Sequence, residues 1–187
     1  MTVLTLQKND IYIEFINTLI DNGWKGKWEI IGDEIKIHHT AGTLQTMKGN
    51  LDYHQALQLS MCLAIQLGYL NSINNSILFF SKDDITIIDN EWFMITNLER
   101  MVPIIEKNTI LLSQPISLQG FLSPELENIS ELPFKTNVSC CYYSLALLVI
   151  NSLEIDSSLD AIANSKLYYF LFRCMEKKPE NRVLLFI

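Results

Sequence analysis

The chain has 187 residues, of which 49% are hydrophobic and 19% are charged. This length suits one domain with a substantial core, and this composition excludes extended disorder. The 21 acidic residues outnumber the 14 basic ones, so the formal net charge is -7. No local cluster of Lys and Arg reverses that sign, and we therefore expect no nucleic-acid partner, whose phosphates the surface would repel.

The first third of the chain predicts a helix, a hairpin and a hinge. Apolar residues at helical spacing predict a helix over residues 10–22, ended by Gly23. Two apolar runs around Gly32-Asp33 predict a β-hairpin over residues 27–39. The small and polar residues at 40–50 predict a loop or hinge.

The remaining two thirds predict short strands followed by helices. Residues 98–135 hold four of the five prolines and show no sustained period, so we expect mostly loop there. The other predicted elements are a long helix at 52–70, strands at 77–80, 85–88 and 92–95, a buried helix at 142–153 and an amphipathic helix at 159–176 that Pro179 closes. This order is typical of an α+β fold.

The cysteines and apolar runs predict an intracellular protein without a membrane partner. All four cysteines lie in apolar, helix-like surroundings without metal-site spacing, so we expect buried free thiols in a reducing compartment; they are Cys62, Cys140, Cys141 and Cys174. The N-terminus has no basic start followed by an apolar core, so no signal peptide is expected. The longest apolar run, residues 145–150, is too short to cross a bilayer.

The acidic patch Lys82-Asp83-Asp84, between two predicted strands, is the main candidate for a functional site. Carboxylate oxygens are the ligands that magnesium prefers. The opposing interpretation is a solvated turn, which is the commoner role of paired acidic residues. His38 and His39 are sequential in a predicted strand, so they point to opposite faces and cannot chelate one ion together. Neither a nucleophile elbow nor a P-loop occurs in the sequence.

Several segments, read in order, resemble the C-terminal lobe of a eukaryotic-type protein kinase. SILFFSKDDITIID resembles its strand, catalytic loop and strand, and WFMITN resembles the strand that leads into the D-F-G motif. FLSPEL resembles the A-P-E segment, CYYSLALLVI the buried helix that begins D-x-W-S-x-G, and KLYYFLFRCMEKKPENR the last helices with their D-P-x-x-R. The sequence as a whole resembles short kinase-like proteins of giant DNA viruses.

This resemblance implies a protein-kinase-like α+β fold, made mainly of the helical C-terminal lobe over residues 50–187. Residues 1–49 would then form a reduced N-terminal lobe of one helix and a hairpin. The family's A-P-E glutamate pairs with its closing arginine. The resemblance therefore implies a structural ion pair between Glu125 and Arg182, which stand at those positions.

The catalytic positions depart from the family pattern. The resemblance puts Ser81 in place of the catalytic aspartate, Asn97 in place of the D-F-G aspartate and Asp84 in place of the metal-binding asparagine. Serine is no general base unless something deprotonates it, and Asn97 lacks the charge that holds magnesium. Cys141 replaces an aspartate that braces the catalytic loop, which predicts a loop no longer held for chemistry. We expect no catalytic residue, no resident metal and no cofactor.

The leading hypothesis is a catalytically inactive pseudokinase module that binds or scaffolds a protein partner. Three tryptophans are candidate contacts if exposed: Trp24, Trp28 and Trp92. The resemblance to viral proteins implies a location in the host cytoplasm or the virion.

The first alternative is an atypical ATP-dependent serine/threonine kinase, in which Asp84 and Asn97 would hold magnesium and Asp83 would act as the base. Lys36, in the segment EIKIHH, is a weak candidate for nucleotide binding beside those residues. The second alternative is a viral structural protein without kinase ancestry.

Overall fold

The structure, a computed structural model, describes residues 2–47, 49–153 and 159–185. These residues form a mixed α+β fold with five α-helices and antiparallel sheets, which confirms the α+β class of the prediction. The helices are α1 (Asp10–Asp21), α2 (Tyr53–Ser72), α3 (Pro124–Glu127), α4 (Cys140–Ser152) and α5 (Lys166–Cys174). Short 3-10 turns lie at Lys82–Asp84, Leu159–Ile162 and Pro179–Asn181.

The strands of the described residues form three sheets. The strands are β1 (Val3–Gln7), β2 (Trp28–Ile31), β3 (Glu34–His38), β4 (Thr40–Thr43), β5 (Asn75–Ile77), β6 (Ile85–Ile88), β7 (Trp92–Ile95), β8 (Met101–Glu106), β9 (Thr109–Leu112) and β10 (Phe134–Asn137). The sheet orders are β1-β3-β2, β4-β6-β7 and β10-β9-β8-β5.

Local capping explains where the two early helices begin. The Asn9 side chain accepts a hydrogen bond from the Ile11 amide at 2.9 Å and starts α1. Asp52 and Gln55 form a reciprocal capping box at the start of α2. Both helices therefore begin where the sequence pattern places them.

Apolar residues from both ends of the chain pack into one large core. Phe15 of α1 and Ile35 of β3 belong to the same buried cluster as Leu63 of α2, Phe93 of β7 and Leu145 of α4. The β1-β3-β2 sheet and α1 thus pack against the rest of the chain through buried side chains. Burial of this kind is the main favourable term in folding.

Two segments that the sequence predicts as loops contain strands. Residues 40–43 form β4 within the predicted hinge, paired with β6 in the register Thr40↔Ile88. The proline-containing segment 98–135 supplies β8, β9 and the start of β10. Pro103 of β8 is paired with Asn75 of β5, but the pairing of β8 with β9 begins only at Ile104, so the proline, which lacks an N–H, has a strand neighbour on one side. Asn108 takes a left-handed φ of 60° in the turn between β8 and β9.

Three boundaries also differ from the predictions. The predicted strand at 77–80 is β5 at Asn75–Ile77, and α4 begins two residues earlier than predicted, at Cys140. The predicted helix at 159–176 is a 3-10 turn followed by α5. Asn164 has a positive φ of 64° between them, and Ser165 caps the new helix through the Tyr168 amide.

The helices and cysteines agree with two further expectations. Within the described ranges, no α-helix combines the length and apolar character needed to cross a bilayer. All four cysteines are buried and free, as predicted. Burial raises the pKa of the Cys62, Cys141 and Cys174 thiols to about 12 and that of Cys140 well above its ordinary value.

We expect all four thiols to be unreactive in the folded protein, because they are protonated at neutral pH and shielded from solvent. A chromogenic disulfide reagent should label none of them quickly at pH 8 and all four after denaturation in guanidinium. A thiol that reacts within seconds in the native protein would contradict this expectation.

Candidate functional site

The candidate site begins with the loop after β5. Side chains of α4 form hydrogen bonds with the backbone of this loop. The Phe80 amide donates to the Ser144 hydroxyl of α4 at 2.7 Å, and the Phe80 carbonyl accepts from the Phe121 amide at 2.8 Å. The Cys140 thiol donates to the Leu78 carbonyl at 3.4 Å. The loop is therefore braced by Ser144, while Cys141 stands where the resemblance puts the bracing aspartate.

Asp84 lies at the end of this loop, directly before β6, and its carboxylate is buried. Oδ2 accepts from the Ser81 amide at 2.6 Å and from the Ser81 hydroxyl at 3.0 Å. The same oxygen forms an ion pair with the guanidinium Nη1 of Arg100. Oδ1 accepts from the side-chain amide of Asn97 at 2.9 Å. We call these four residues, Ser81, Asp84, Asn97 and Arg100, the Asp84 cluster.

Donors of the chain itself surround the Asp84 carboxylate unevenly. An ionised carboxylate offers about two lone-pair sites on each oxygen, and here three donors crowd Oδ2 while one reaches Oδ1. Asn97 presents its NH₂ group to Asp84, while its carbonyl oxygen accepts from the Glu99 amide at 3.0 Å. A divalent cation held by both side chains would need their oxygens. Asn97 would have to rotate to offer its carbonyl oxygen, and the ion would lie close to the Arg100 guanidinium, which repels it.

Arg100 is the residue of this cluster that the sequence analysis missed. Its guanidinium carbon lies 4.8 Å from the centre of the Phe79 ring, and its Nη2 donates to the Gln119 carbonyl at 3.2 Å. The guanidinium is thereby oriented on three sides and supplies the positive charge beside Asp84. The available signal was that Arg100 is the first basic residue after Lys82.

Other predicted residues lie away from the cluster or face solvent. Asp83 is exposed, and the Lys82 ammonium donates to the Asn151 carbonyl at the end of α4 at 3.0 Å. Cys141 is fully buried in α4 and accepts from the Ser76 hydroxyl at 3.6 Å. Lys36 lies in β3, and its ammonium is 3.8 Å from the Glu34 carboxylate of the same strand.

The tryptophans differ in exposure. Trp24 is buried, and its indole N–H donates to the Asp89 carboxylate at 2.8 Å, so it is not an exposed contact. Trp28 and Trp92 are partly buried against the large core.

The two sequential histidines do not both lie in a strand. The side chains of β3 alternate between core and surface, and β3 ends at His38. His39, with a φ of 62°, lies beyond the strand.

A second ion pair joins the partly buried Glu125 of α3 to the buried Arg182. Two parallel bonds connect them, Nη1 to Oε1 at 2.5 Å and Nη2 to Oε2 at 3.0 Å. Arg182 also donates from Nε to the Glu176 carbonyl at 2.8 Å, and its guanidinium stacks 4.8 Å from the Tyr143 ring centre. The pair thus ties α3 to α4 and to the segment after α5.

The environment of Glu125 sets its ionisation. Burial acts to raise the pKa of its carboxyl, but hydrogen bonds from Arg182 and a backbone amide, with the arginine's charge, outweigh that effect and lower the pKa below 4.5. Glu125 is therefore ionised throughout the neutral range and remains paired with Arg182.

No group of three or more His, Cys, Asp or Glu side chains that could hold a metal ion occurs among the described residues. No protein-family model matches this chain, and its sequence matches no curated protein at a significant level.

We expect Glu125→Ala to lower the free energy of unfolding by on the order of 3–5 kcal/mol, because it leaves the Arg182 guanidinium buried without a partner. The double variant Glu125→Leu/Arg182→Met should lose less than this, since it removes both charges. Urea unfolding followed by circular dichroism measures both values. A double variant less stable than Glu125→Ala would contradict the expectation.

The Glu125 contribution should also depend on pH. Because its folded pKa lies below the ordinary value of 4.5, this contribution is present above pH 4.5 and is lost as the pH falls through the folded value. The stability difference between the wild type and Glu125→Gln should therefore shrink between pH 6 and pH 3. A difference that stays constant over this interval would show that Glu125 does not titrate with folding.

Proposed function

We propose that the protein is a catalytically inactive, protein-kinase-like module that acts by binding or scaffolding another protein. The observation that carries this proposal is the occupied carboxylate of Asp84. At the position where the kinase resemblance puts a metal ligand, the chain's own Arg100 supplies the cation and Asn97 turns its NH₂ group inward.

The order of contacts supports the kinase-like part of the proposal. A long helix, α2, precedes a braced loop and the β6–β7 hairpin, and Glu125 pairs with Arg182 beyond them. The resemblance gives Glu125 and Arg182 a role in the fold. The positions that it assigns to catalysis hold Ser81, which is no general base, and Asn97, which has no charge.

The residues near the N-terminus support the absence of nucleotide chemistry. Protein kinases hold the ATP phosphates with a lysine on a strand, paired to a glutamate of the helix αC. If α1 corresponded to αC, the lysine would be expected in the strand before it. That strand is β1, whose sequence VLTLQ contains no lysine. Lys36 follows α1 in the chain and contacts Glu34 instead. No resident cofactor is therefore part of the proposal.

We expect millimolar ATP and magnesium to leave the melting temperature of the wild type unchanged. A ligand at a hundred times its dissociation constant adds about 2.7 kcal/mol to stability, which would raise the melting temperature by several degrees. Differential scanning fluorimetry measures this, with Asp84→Asn as the companion variant. A clear increase that Asp84→Asn abolishes would favour the alternative, an atypical kinase that uses Asp83, Asp84 and Asn97.

The variant Arg100→Gln tests whether Asp84 needs a cation beside it. This variant leaves a buried carboxylate without its counter-charge, so we expect a stability loss on the order of 3–5 kcal/mol. Millimolar magnesium should restore part of that loss, while leaving the wild type unaffected.

The matched control is Asp84→Asn/Arg100→Gln, which removes both charges and should not respond to magnesium. An equal response of wild type, Arg100→Gln and the double variant would contradict the assignment of Arg100 as the internal cation.

A further inference from the structure

The outer face of α5 leaves large apolar side chains in solvent. Tyr169 is 45% exposed, Phe172 54% and Val183 46%. These residues, with Tyr168, Arg173, Glu176 and Asn181, line a groove of about 540 Å³ that we call the α5 groove. Single exposed apolar residues are common on protein surfaces, whereas contiguous patches mark interaction sites.

The aromatic side chains of the α5 groove are held in place before any partner binds. The rings of Tyr168 and Phe172 are stacked, with centroids 6.2 Å apart, and Tyr169 meets Tyr168 edge-on at 5.4 Å. The Tyr169 hydroxyl donates to the Asn164 side chain at 3.2 Å. A surface ordered in advance loses little conformational entropy on binding.

The core does not account for this outer face. The opposite side of α5 supplies the buried residues of the helix, which are Leu167, Phe170, Leu171 and Cys174. Tyr169 and Phe172 point away from them and remain more than a third exposed. Among the described residues, core packing therefore does not require two large aromatic side chains at these positions.

The charge around the α5 groove is opposite to that of the whole protein. Residues 166–182 hold five basic and two acidic residues, and the rest of the chain holds nine basic and 19 acidic. Arg182 is buried in its pair with Glu125, but Lys177 and Lys178 are exposed and Arg173 is partly exposed. Within the groove lining, the charges of Arg173 and Glu176 balance, and the excess of positive charge comes from Lys177 and Lys178, which follow Glu176 in the chain.

We propose that the α5 groove docks an acidic segment of a partner protein. Apolar side chains of that segment lie against Tyr169 and Phe172, and its carboxylates face Arg173, Lys177 and Lys178. This inference rests on the proposed role as a binding module and names the surface and the class of partner. Complementary charge raises the association rate and selects the partner, while the aromatic groove provides the buried contact.

The test uses two synthetic amphipathic peptides with the same apolar positions, one with Glu and the other with Lys at the polar positions. Fluorescence anisotropy with the full chain at physiological salt measures binding. We expect the Glu peptide to bind and the Lys peptide not to bind. Phe172→Ala and Lys177→Glu/Lys178→Glu should each weaken the Glu peptide by about tenfold or more.

Matched controls come from exposed residues elsewhere in the chain. Ile31 is 49% exposed in β2, so Ile31→Ala matches the loss of an exposed apolar side chain. Lys25 and Lys27 are exposed in the loop before β2, so Lys25→Glu/Lys27→Glu matches the change in net charge. Neither control should alter binding of the Glu peptide.

Equal binding of both peptides, or equal effects of the groove variants and their controls, would overturn the inference. A second copy of the chain could also occupy the α5 groove, and sedimentation analysis tests for this. A dimer that Phe172→Ala abolishes would overturn the inference of an acidic partner. The result of the nucleotide experiment does not depend on the result of the peptide experiment. Stabilisation by ATP and magnesium would count against the inactive module, whereas loss of peptide binding alone would remove only the α5 groove.

Discussion

The buried carboxylate of Asp84 is the constraint on which the candidate site depends. A charge removed from water destabilises the fold unless partners compensate it. Its donors come from both sides of the β6–β7 hairpin: Ser81 precedes the hairpin, and Asn97 and Arg100 follow it. One side chain therefore connects the braced loop, both ends of the hairpin and the start of β8.

The ion pairs Glu125–Arg182 and Asp84–Arg100 have different places in the structure. Glu125–Arg182 joins helical segments far apart in sequence, and its loss would leave a guanidinium buried among α3, α4 and the segment after α5. Asp84–Arg100 satisfies a buried carboxylate at the candidate site. The first pair joins parts of the fold, and the second places a fixed cation of the chain beside Asp84. This contrast is the basis on which we propose a module without catalysis.

For the proposed binding role, the relevant residues lie on the surface of the protein rather than in its interior. The inner side of α5 contributes to the core, and its outer side presents ordered aromatic rings beside exposed lysines. Those outer side chains contact one another but not the core, which is why we propose a partner for them. The surface is also distant in sequence from the Asp84 cluster, and so the two proposals depend on different residues.

The sequence by itself determined the elements whose signals are local. Helical spacing located α1 and α2, the Gly32-Asp33 turn located the β2–β3 hairpin, and the apolar surroundings of the cysteines indicated buried thiols. The contact between Glu125 and Arg182 followed from a family resemblance rather than from any local pattern. Each of these features depends on neighbours in the chain or on recognisable motifs.

Only the tertiary structure decided which distant groups meet. β4 pairs with β6 across the long α2 helix, Ser144 of α4 reaches back to Phe80, and Arg100 turns toward Asp84 rather than toward solvent. The burial of Trp24 against Asp89 has the same origin. Local propensity describes a residue and its neighbours, whereas pairing of a strand or compensation of a buried charge depends on distances that exist only after the chain has folded.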